Sequence, residues 1–476
     1  MKNFFKHILI LLYFFHSQIF SYELPELGSS FDSILNNVDE KKIKFQIMQQ
    51  VFNSNTVIRD FEINDYLNNL GKDLIEKGGI NKSNIDFFIV EDKSINAFAM
   101  LGNVIGVHSG LIFAANSESE LASVLSHEIA HISQKHLLRL FDSQARGSFK
   151  SYFALAIALL AARSNPQLAS GAITIASASQ VQNLLDFTRE NEREADRVGL
   201  EILGKAGFDP LGFIDFFSTI QKFNNFSSGA APSFLRTHPI TTERISDIQD
   251  RLKDLKYIQK EQNINFHLIK AKLIALSGNY AEVTNYFKNE IDSNKTKNNL
   301  AAYYGLIYSL IRENQIEEAR NNFNKSSLGN VENPMIIELN AQLLIKEREF
   351  EAAFNVYKRG INKYPFYRAF ILGLSDLILL AKKPDKAIDL LKSFLTYFSS
   401  DPNFYLLLAK AYNLKGESLL EHESLSNAYY YQFNIQEAIT QMDLAVKTNS
   451  DNFFNQSRVE YRLKELKRES DLIYNQ

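Results

Sequence analysis

Residues 116–140 read NSESELASVLSHEIAHISQKHLLRL. Ser117 and Glu120 form an S-x-x-E capping box, which opens a helix where apolar residues begin to recur every three or four positions. On that helix His127 and His131 are four apart and share a face, so both imidazoles can address one ion. Glu128, one position round, can reach a water bound to that ion. With nine histidines in 476 residues, chance yields an H-E-x-x-H string in roughly one such protein in a hundred. The string therefore reads as a metal site on a helix.

Two neutral nitrogens make a poor hydrolytic zinc site, which takes three protein ligands and leaves the fourth place to water. A later helix, expected over 183–205 and ending before Gly207 and Pro210, carries FTRENEREADRVGLEIL at 187–203. Its acids are Glu190, Glu192, Glu194 and Asp196. Glu192 and Asp196 are four apart and share a face, whereas Glu194 is turned about 200° from Glu192. One Glu as ligand with one Asp behind it fits that spacing. Upstream, residues 81–113 change period and read as short strands broken by turns at Asp92, Gly102 and Gly110, a small mixed sheet. His136 is nine residues after His127, half a turn out of phase, and is expected to face away. His108, on a strand, reads as a packing or hydrogen-bonding residue. His238 sits in LRTHPITTER, a Pro-flanked loop before a helix starting near Thr241. It reads as a fourth zinc ligand that blocks the water, as a donor to the oxyanion, or as a surface loop residue.

Composition sets the limits. The chain is 45% hydrophobic and 22% charged, with 52 basic against 55 acidic residues and a net charge of −3. That is an ordinary globular balance with no electrostatic reason to expect nucleic acid. Cysteine is absent, so any metal is held by histidine and carboxylate. Lys2 and Lys6 precede an apolar run from Ile8 to Phe15 and small polar residues at Ser17 and Ser21, the layout of a cleavable export signal over residues 1–21. Residues 149–177 are apolar but broken by Arg163, Asn165 and Pro166 into stretches too short to span a bilayer. They read as a packed helical hairpin, or as a surface that touches membrane or substrate.

From about residue 260 the chain is helical and weakly repetitive. Small positions recur at Val283, Ala319, Ala353, Ala387 and Ala438, spaced by 36, 34, 34 and 51 residues. A 34-residue helix–turn–helix period is the tetratricopeptide signature. Such arrays most often bind protein segments on a concave face.

Taken together, HEIAH, EREAD and NAFAMLGNVIGVHSGLI (96–112) resemble the M48 family of zinc metallopeptidases. With the signal and the repeats, the chain looks like the periplasmic β-barrel assembly-enhancing protease group of Gram-negative bacteria. The resemblance implies an α+β, mostly α fold, a helical zincin-type metalloprotease domain with a small mixed sheet over 22–256. An all-α tetratricopeptide-like array follows over 257–476. It also implies one Zn²⁺ per chain on His127, His131 and Glu192, catalysis by Glu128, and an acid or supporting role for Asp196. Its expected partners are unfolded outer-membrane proteins and, through the repeats, the outer-membrane assembly complex. No transmembrane span is expected in the mature chain, with peripheral membrane contact left open. The strand near Asn96 to Ile105, if it edges the sheet, would hold an extended substrate by backbone pairing. A non-haem iron oxygenase offers no reason for Glu128 between the histidines. The rival from another class is a chaperone or assembly scaffold whose zinc site is idle or structural.

Overall fold

A computed structural model describes residues 37–80, 84–139, 178–226, 232–255, 257, 259, 263–293, 299–448 and 452–474. The signal expected at 1–21 and the apolar segment at 149–177 lie outside the described residues.

The N-terminal part places helices α1 (Asn37–Asn53) and α2 (Phe61–Gly78) beside strands β1 (Asp86–Val90), β2 (Ala97–Met100) and β3 (Val104–His108). The Asp60 side chain accepts from the Ile63 amide and starts α2; Gly79, at φ 75°, ends it. The sheet is mixed, with order β1-β3-β2: β1 runs parallel to β3 with Asp86 opposite Val104, and β2 runs antiparallel to β3. The β2–β3 turn rests on Gly102 at φ 78°. There a Cβ would also meet the Lys44 backbone at 2.8 Å, so only glycine serves. Gly110 does not make a turn. It lies in helix α3 (Ser109–Ala114), where a Cβ would strike the Lys93 carbonyl at 2.2 Å.

Helix α4 (Glu118–Ser133) follows, capped by Ser117, whose hydroxyl accepts from the Glu120 amide. The other half of the box is shifted by one residue, since Glu120 accepts from the Asn116 amide at 3.1 Å. Then come α5 (Ala178–Lys205), α6 (Gly212–Phe226), the short α7 (Ser233–Thr237) and α8 (Thr242–Asp254). Helix α5 crosses α4 at Gly199, where a Cβ would stand 3.1 Å from the His127 backbone. That close approach brings together the helices that carry His127 and Glu192.

The repeats are antiparallel helix pairs: α9 (Asn265–Leu276) with α10 (Tyr280–Asp292), α11 (Asn299–Arg312) with α12 (Ile316–Lys325), and α13 (Pro334–Lys346) with α14 (Phe350–Lys363). They continue as α15 (Arg368–Leu380) with α16 (Pro384–Leu395), α17 (Pro402–Lys415) with α18 (Ser418–Tyr431), and α19 (Ile435–Lys447) with α20 (Phe453–Tyr474). Second helices start at Tyr280, Ile316, Phe350, Pro384, Ser418 and Phe453, so the period of about 34 is kept to the end. The 51-residue step in the small-residue pattern is a change of residue use. Ala438 belongs to the first helix of its pair, half a unit out of phase, and Glu421 occupies the place 34 residues after Ala387. Val283, Ala319, Ala353, Ala387 and Ala438 are all buried, consistent with small residues at close helix contacts.

One hydrophobic core runs from Ile63 and Leu67 of α2 through Leu121 and Leu125 of α4, Leu200 and Phe216, into Phe266, Leu273, Tyr304 and Leu310 of the first repeats. It does not break at the expected boundary between 256 and 257. Polar contacts join the same parts. Buried Lys272 bridges Asp60 and Glu62, Tyr367 donates to Glu62, and Arg368 binds Asp65 and Asp401. At the far end Phe433 sits between Phe45 and Phe52 of α1, with ring centres 5.4 and 5.6 Å away. Gln46 donates to the Ile473 carbonyl at 3.0 Å, and Tyr474 donates to Gln49 at 2.8 Å.

Candidate metal centre

Because α4 presents residues i and i+4 on one face, His127 and His131 bring their Nε2 atoms within 3.1 Å of each other. Helix α5 carries Glu192 to them: its carboxylate oxygens stand 3.3 Å from His127 Nε2 and 3.4 Å from His131 Nε2. Four donors at zinc–ligand distances of about 2.0–2.1 Å in a tetrahedron stand about 3.3–3.4 Å apart. The observed separations match that edge. His238, which follows α7, completes the set, with Nδ1 at 3.3 Å from His127 Nε2 and 2.9 Å from Glu192 Oε1. Ligand atoms of His127, His131, Glu192 and His238 all lie within 4.8 Å of one another. The donors are imidazole and carboxylate, so the residues fit a divalent cation.

His238 is fixed from behind. Phe234, 2% exposed, packs beside the imidazole with ring centres 4.8 Å apart, and its amide donates to the Ile95 carbonyl just before β2. The sequence gives His238 no periodic context. A histidine between Thr237 and Pro239 reads equally as a surface loop, and only the fold brings it to the cluster.

Glu128 is 1% exposed. Its Oε2 accepts from the Ala99 amide at 2.9 Å, whereas its Oε1 is buried without a hydrogen bond, 3.3 Å from His238 Nε2. Ala99 lies on β2, an edge strand of the described sheet. Edge and carboxylate therefore face the same space.

Asp196 lies behind the donors. Its Oδ1 is 3.1 Å from His127 Nδ1, which, in the neutral ring that a metal ligand requires, keeps the imidazole proton on Nδ1 and leaves the Nε2 lone pair towards the cluster. Arg244 then grips Asp196 with two bonds of 2.7 Å, reaches Glu192 at 3.0 Å and donates to the Pro239 carbonyl. Arg244 had no signal in the sequence. It is the third residue of α8, after a Thr241 cap, and its carboxylate partner is 48 residues away.

Electrostatics follow from this packing. Burial disfavours a charged His127, but hydrogen bonds and charges from Asp196 and Glu192 outweigh it and raise its pKa to about 9 in the metal-free protein. Burial pushes Glu192 upward, yet His238 and the hydrogen bonds from three imidazoles hold it well below the usual carboxylate range. Asp196 is likewise raised by burial and brought lower overall by Arg244. Burial also lowers His131.

His136 does not face away. Helix α4 ends at Ser133, and Lys135 takes φ 54°, so the helical phase that predicted an outward side chain stops before residue 136. His136 is buried and its Nδ1 stands 2.8 Å from His131 Nδ1. Burial, with His131 and Arg139 adding to it, pushes its pKa down to about 4. Glu194, turned from Glu192 as expected, is 3.1 Å from His136 Nε2. Glu190 is exposed. His108 is a hydrogen-bonding residue: its Nδ1 is 2.8 Å from the Ser94 hydroxyl.

Comparison with known proteins places this arrangement. Residues 62–252 match peptidase family M48. A putative beta-barrel assembly-enhancing protease of Vibrio cholerae is 38% identical over 253 residues, 53% of this chain and 52% of that protein. The chain thus spans about half the length of that relative. The beta-barrel assembly-enhancing protease of Escherichia coli K12 is 27% identical over 447 residues, 93% of this chain and 91% of that one. The E. coli metalloprotease LoiP is 28% identical over 179 residues, covering 36% of this chain and 65% of its own. Yeast Tom70 aligns over 73% of this chain and 82% of its own at 14% identity, with a TM-score of 0.28, a likeness too slight to carry weight. HEIAH on α4, with the EREAD acids of α5 folded against it, lies inside the span from Glu62 to Leu252 that matches peptidase family M48.

Proposed function

We propose that the protein is a zinc-dependent endopeptidase of the periplasm, exported by the segment 1–21, which acts on misfolded or stalled outer-membrane proteins or their assembly machinery. His127, His131 and Glu192 hold one zinc ion, and the repeat array over 257–476 recruits protein partners. A bound zinc ion polarises a scissile carbonyl and acidifies a water to a pKa of about 7.

The residues do the rest. Glu128 takes a proton from the attacking water on Oε1 and delivers it to the leaving amine nitrogen. Ala99 pins the other oxygen and so aims the carboxylate. Asp196, held by Arg244, keeps His127 in the tautomer a ligand needs. The outer edge of β2 pairs an extended substrate through its backbone, giving affinity with little demand on sequence. His238 stands where a fourth ligand would and beside the base, which supports a blocking role in a resting enzyme. The names of the V. cholerae and E. coli relatives, beta-barrel assembly-enhancing proteases, support the assembly-linked substrates. Among the described residues no helix is long and apolar enough to cross a membrane.

The observation that carries the reading is Glu128 Oε1: a buried carboxylate oxygen with no hydrogen bond, beside the metal donors. A purely structural zinc site has no use for it. Glu128→Gln should keep zinc and fold and lose proteolysis of an unfolded outer-membrane protein by about 10²-fold or more. Parental cleavage by this variant would remove Glu128 as the base and favour the scaffold reading.

A further inference from the structure

We infer that His136 is a positioning residue for the metal centre: by accepting the Nδ1 proton of His131 it fixes the tautomer in which His131 Nε2 offers a lone pair to the ion, with Glu194 and Arg139 setting His136 from outside. The inference rests on His131 being a ligand.

The argument is one of proton count. His131 Nε2 faces His127 and Glu192 at 3.1 and 3.4 Å, and a nitrogen that ligates carries no proton. Its one proton in the neutral ring therefore sits on Nδ1. At 2.8 Å from His131 Nδ1 lies His136 Nδ1. Two ring nitrogens at that distance share one proton, so His136 Nδ1 is the bare acceptor. The remaining His136 proton is on Nε2, and there Glu194 Oε2 accepts it at 3.1 Å. Arg139 donates to the same Glu194 oxygen at 2.6 Å and holds that acceptor in place. The opposite direction fails. A proton on His136 Nδ1 pointing at His131 would move the His131 proton to Nε2, among the donors of the metal site.

The two ligand histidines are thus braced by unlike devices. His127 leans on a carboxylate, Asp196, at 3.1 Å. His131 leans on a neutral ring with a carboxylate one step further out. Outer partners of this kind are worth about 10–100-fold in metal affinity.

Asparagine and glutamine separate positioning from packing. The Asn carbonyl oxygen falls near the place of His Nδ1, while the Gln amide nitrogen falls near Nε2. His136→Asn keeps the acceptor for His131 with less volume; His136→Gln keeps the volume and the outer donor but loses the acceptor. Zinc dissociation constants from competition with a chromophoric chelator should be within about threefold of parent for Asn and raised about 10–100-fold for Gln and Ala. The visible spectrum of the Co²⁺-loaded protein should shift for Gln and Ala but not for Asn. The reverse order, Gln like parent and Asn weakened, would make His136 a packing residue and overturn the inference. Should the variants fail to fold, nitrogen spectra of ¹⁵N-histidine-labelled, zinc-loaded parent decide. His136 protonated at Nε2 supports the inference; His136 protonated at Nδ1 ends it. Zinc stoichiometry of His131→Ala is measured alongside. If that variant retains parental affinity, the ligand assignment has failed and the inference falls with it; loss of zinc there, with parental affinity in the Gln and Ala variants of His136, overturns the inference alone.

Discussion

Arg244→Met tests how the buried charges of the centre are balanced. Arg244, Asp196 and Glu192 have side-chain exposures of 3, 5 and 4%, so water cannot take over when the guanidinium goes. Removing one partner of a buried ion pair costs about 3–5 kcal/mol, because the remaining charge is left uncompensated. At roughly 2–4 °C per kcal/mol for a unit of 150–250 residues, the metal-free protein should melt about 6–20 °C lower. Loading with zinc changes the balance. His127 is protonated in the metal-free site, with its pKa raised to about 9, and zinc replaces that single charge with a double one. The extra positive charge arrives beside the two carboxylates that lost Arg244. The loss should therefore be smaller in the loaded protein, and the zinc-induced rise in melting temperature larger in the variant than in the parent. Differential scanning calorimetry of both proteins with and without zinc gives the four values needed. Equal losses in the two forms, or none, would mean that Arg244 does not balance the charge of the centre.

The raised His127 pKa predicts how zinc binding depends on pH. Below about 9 zinc must displace a proton, so the apparent dissociation constant should fall about tenfold per pH unit from pH 7 to 9 and flatten above; chelator competition that finds no slope would remove the protonated His127. In the metal-free fold the same group stabilises fully below its unfolded pKa of about 6.5, and that contribution is lost as pH rises through 9. For His238→Ala, the fourth-ligand role predicts faster cleavage with zinc retained. A fall of about 10²- to 10³-fold would instead assign His238 to the oxyanion.

The sequence announced those parts of the centre that follow the periodicity of one helix. His127, Glu128 and His131 are a single turn of α4, and Glu192 with Asp196 a single turn of α5, so spacing alone put them on common faces. Arg244 was silent because its meaning lies in a contact across 48 residues. His136 was misread because the helical phase was carried past Ser133, and Lys135 adopts a left-handed conformation that its residue type does not signal. The repeats show the converse. Helix pairing kept its period through α20, while the marker residue moved half a unit at Ala438, since packing needs a small residue somewhere in the contact and not always at the same position.

The contacts of Gln46 with Ile473 and Gln49 with Tyr474 turn the chain into a ring. They join residues 427 and 425 positions apart, a closure that costs about 5 kcal/mol in chain entropy if made in one step from the disordered state. Building outward from the shared core, through the contacts of Lys272 with Asp60 and of Arg368 with Asp65, divides that closure into shorter steps. At about 5–20 residues per second, synthesis separates the two ends of the contact by roughly 20–90 s. Through that interval Phe45 and Phe52 have no Phe433 to cover them. Every residue of the candidate centre has been made by Arg244, so the centre can assemble while the ring is still open. In synthesis, sealing of the ring is then a later event than completion of the residues that form the site.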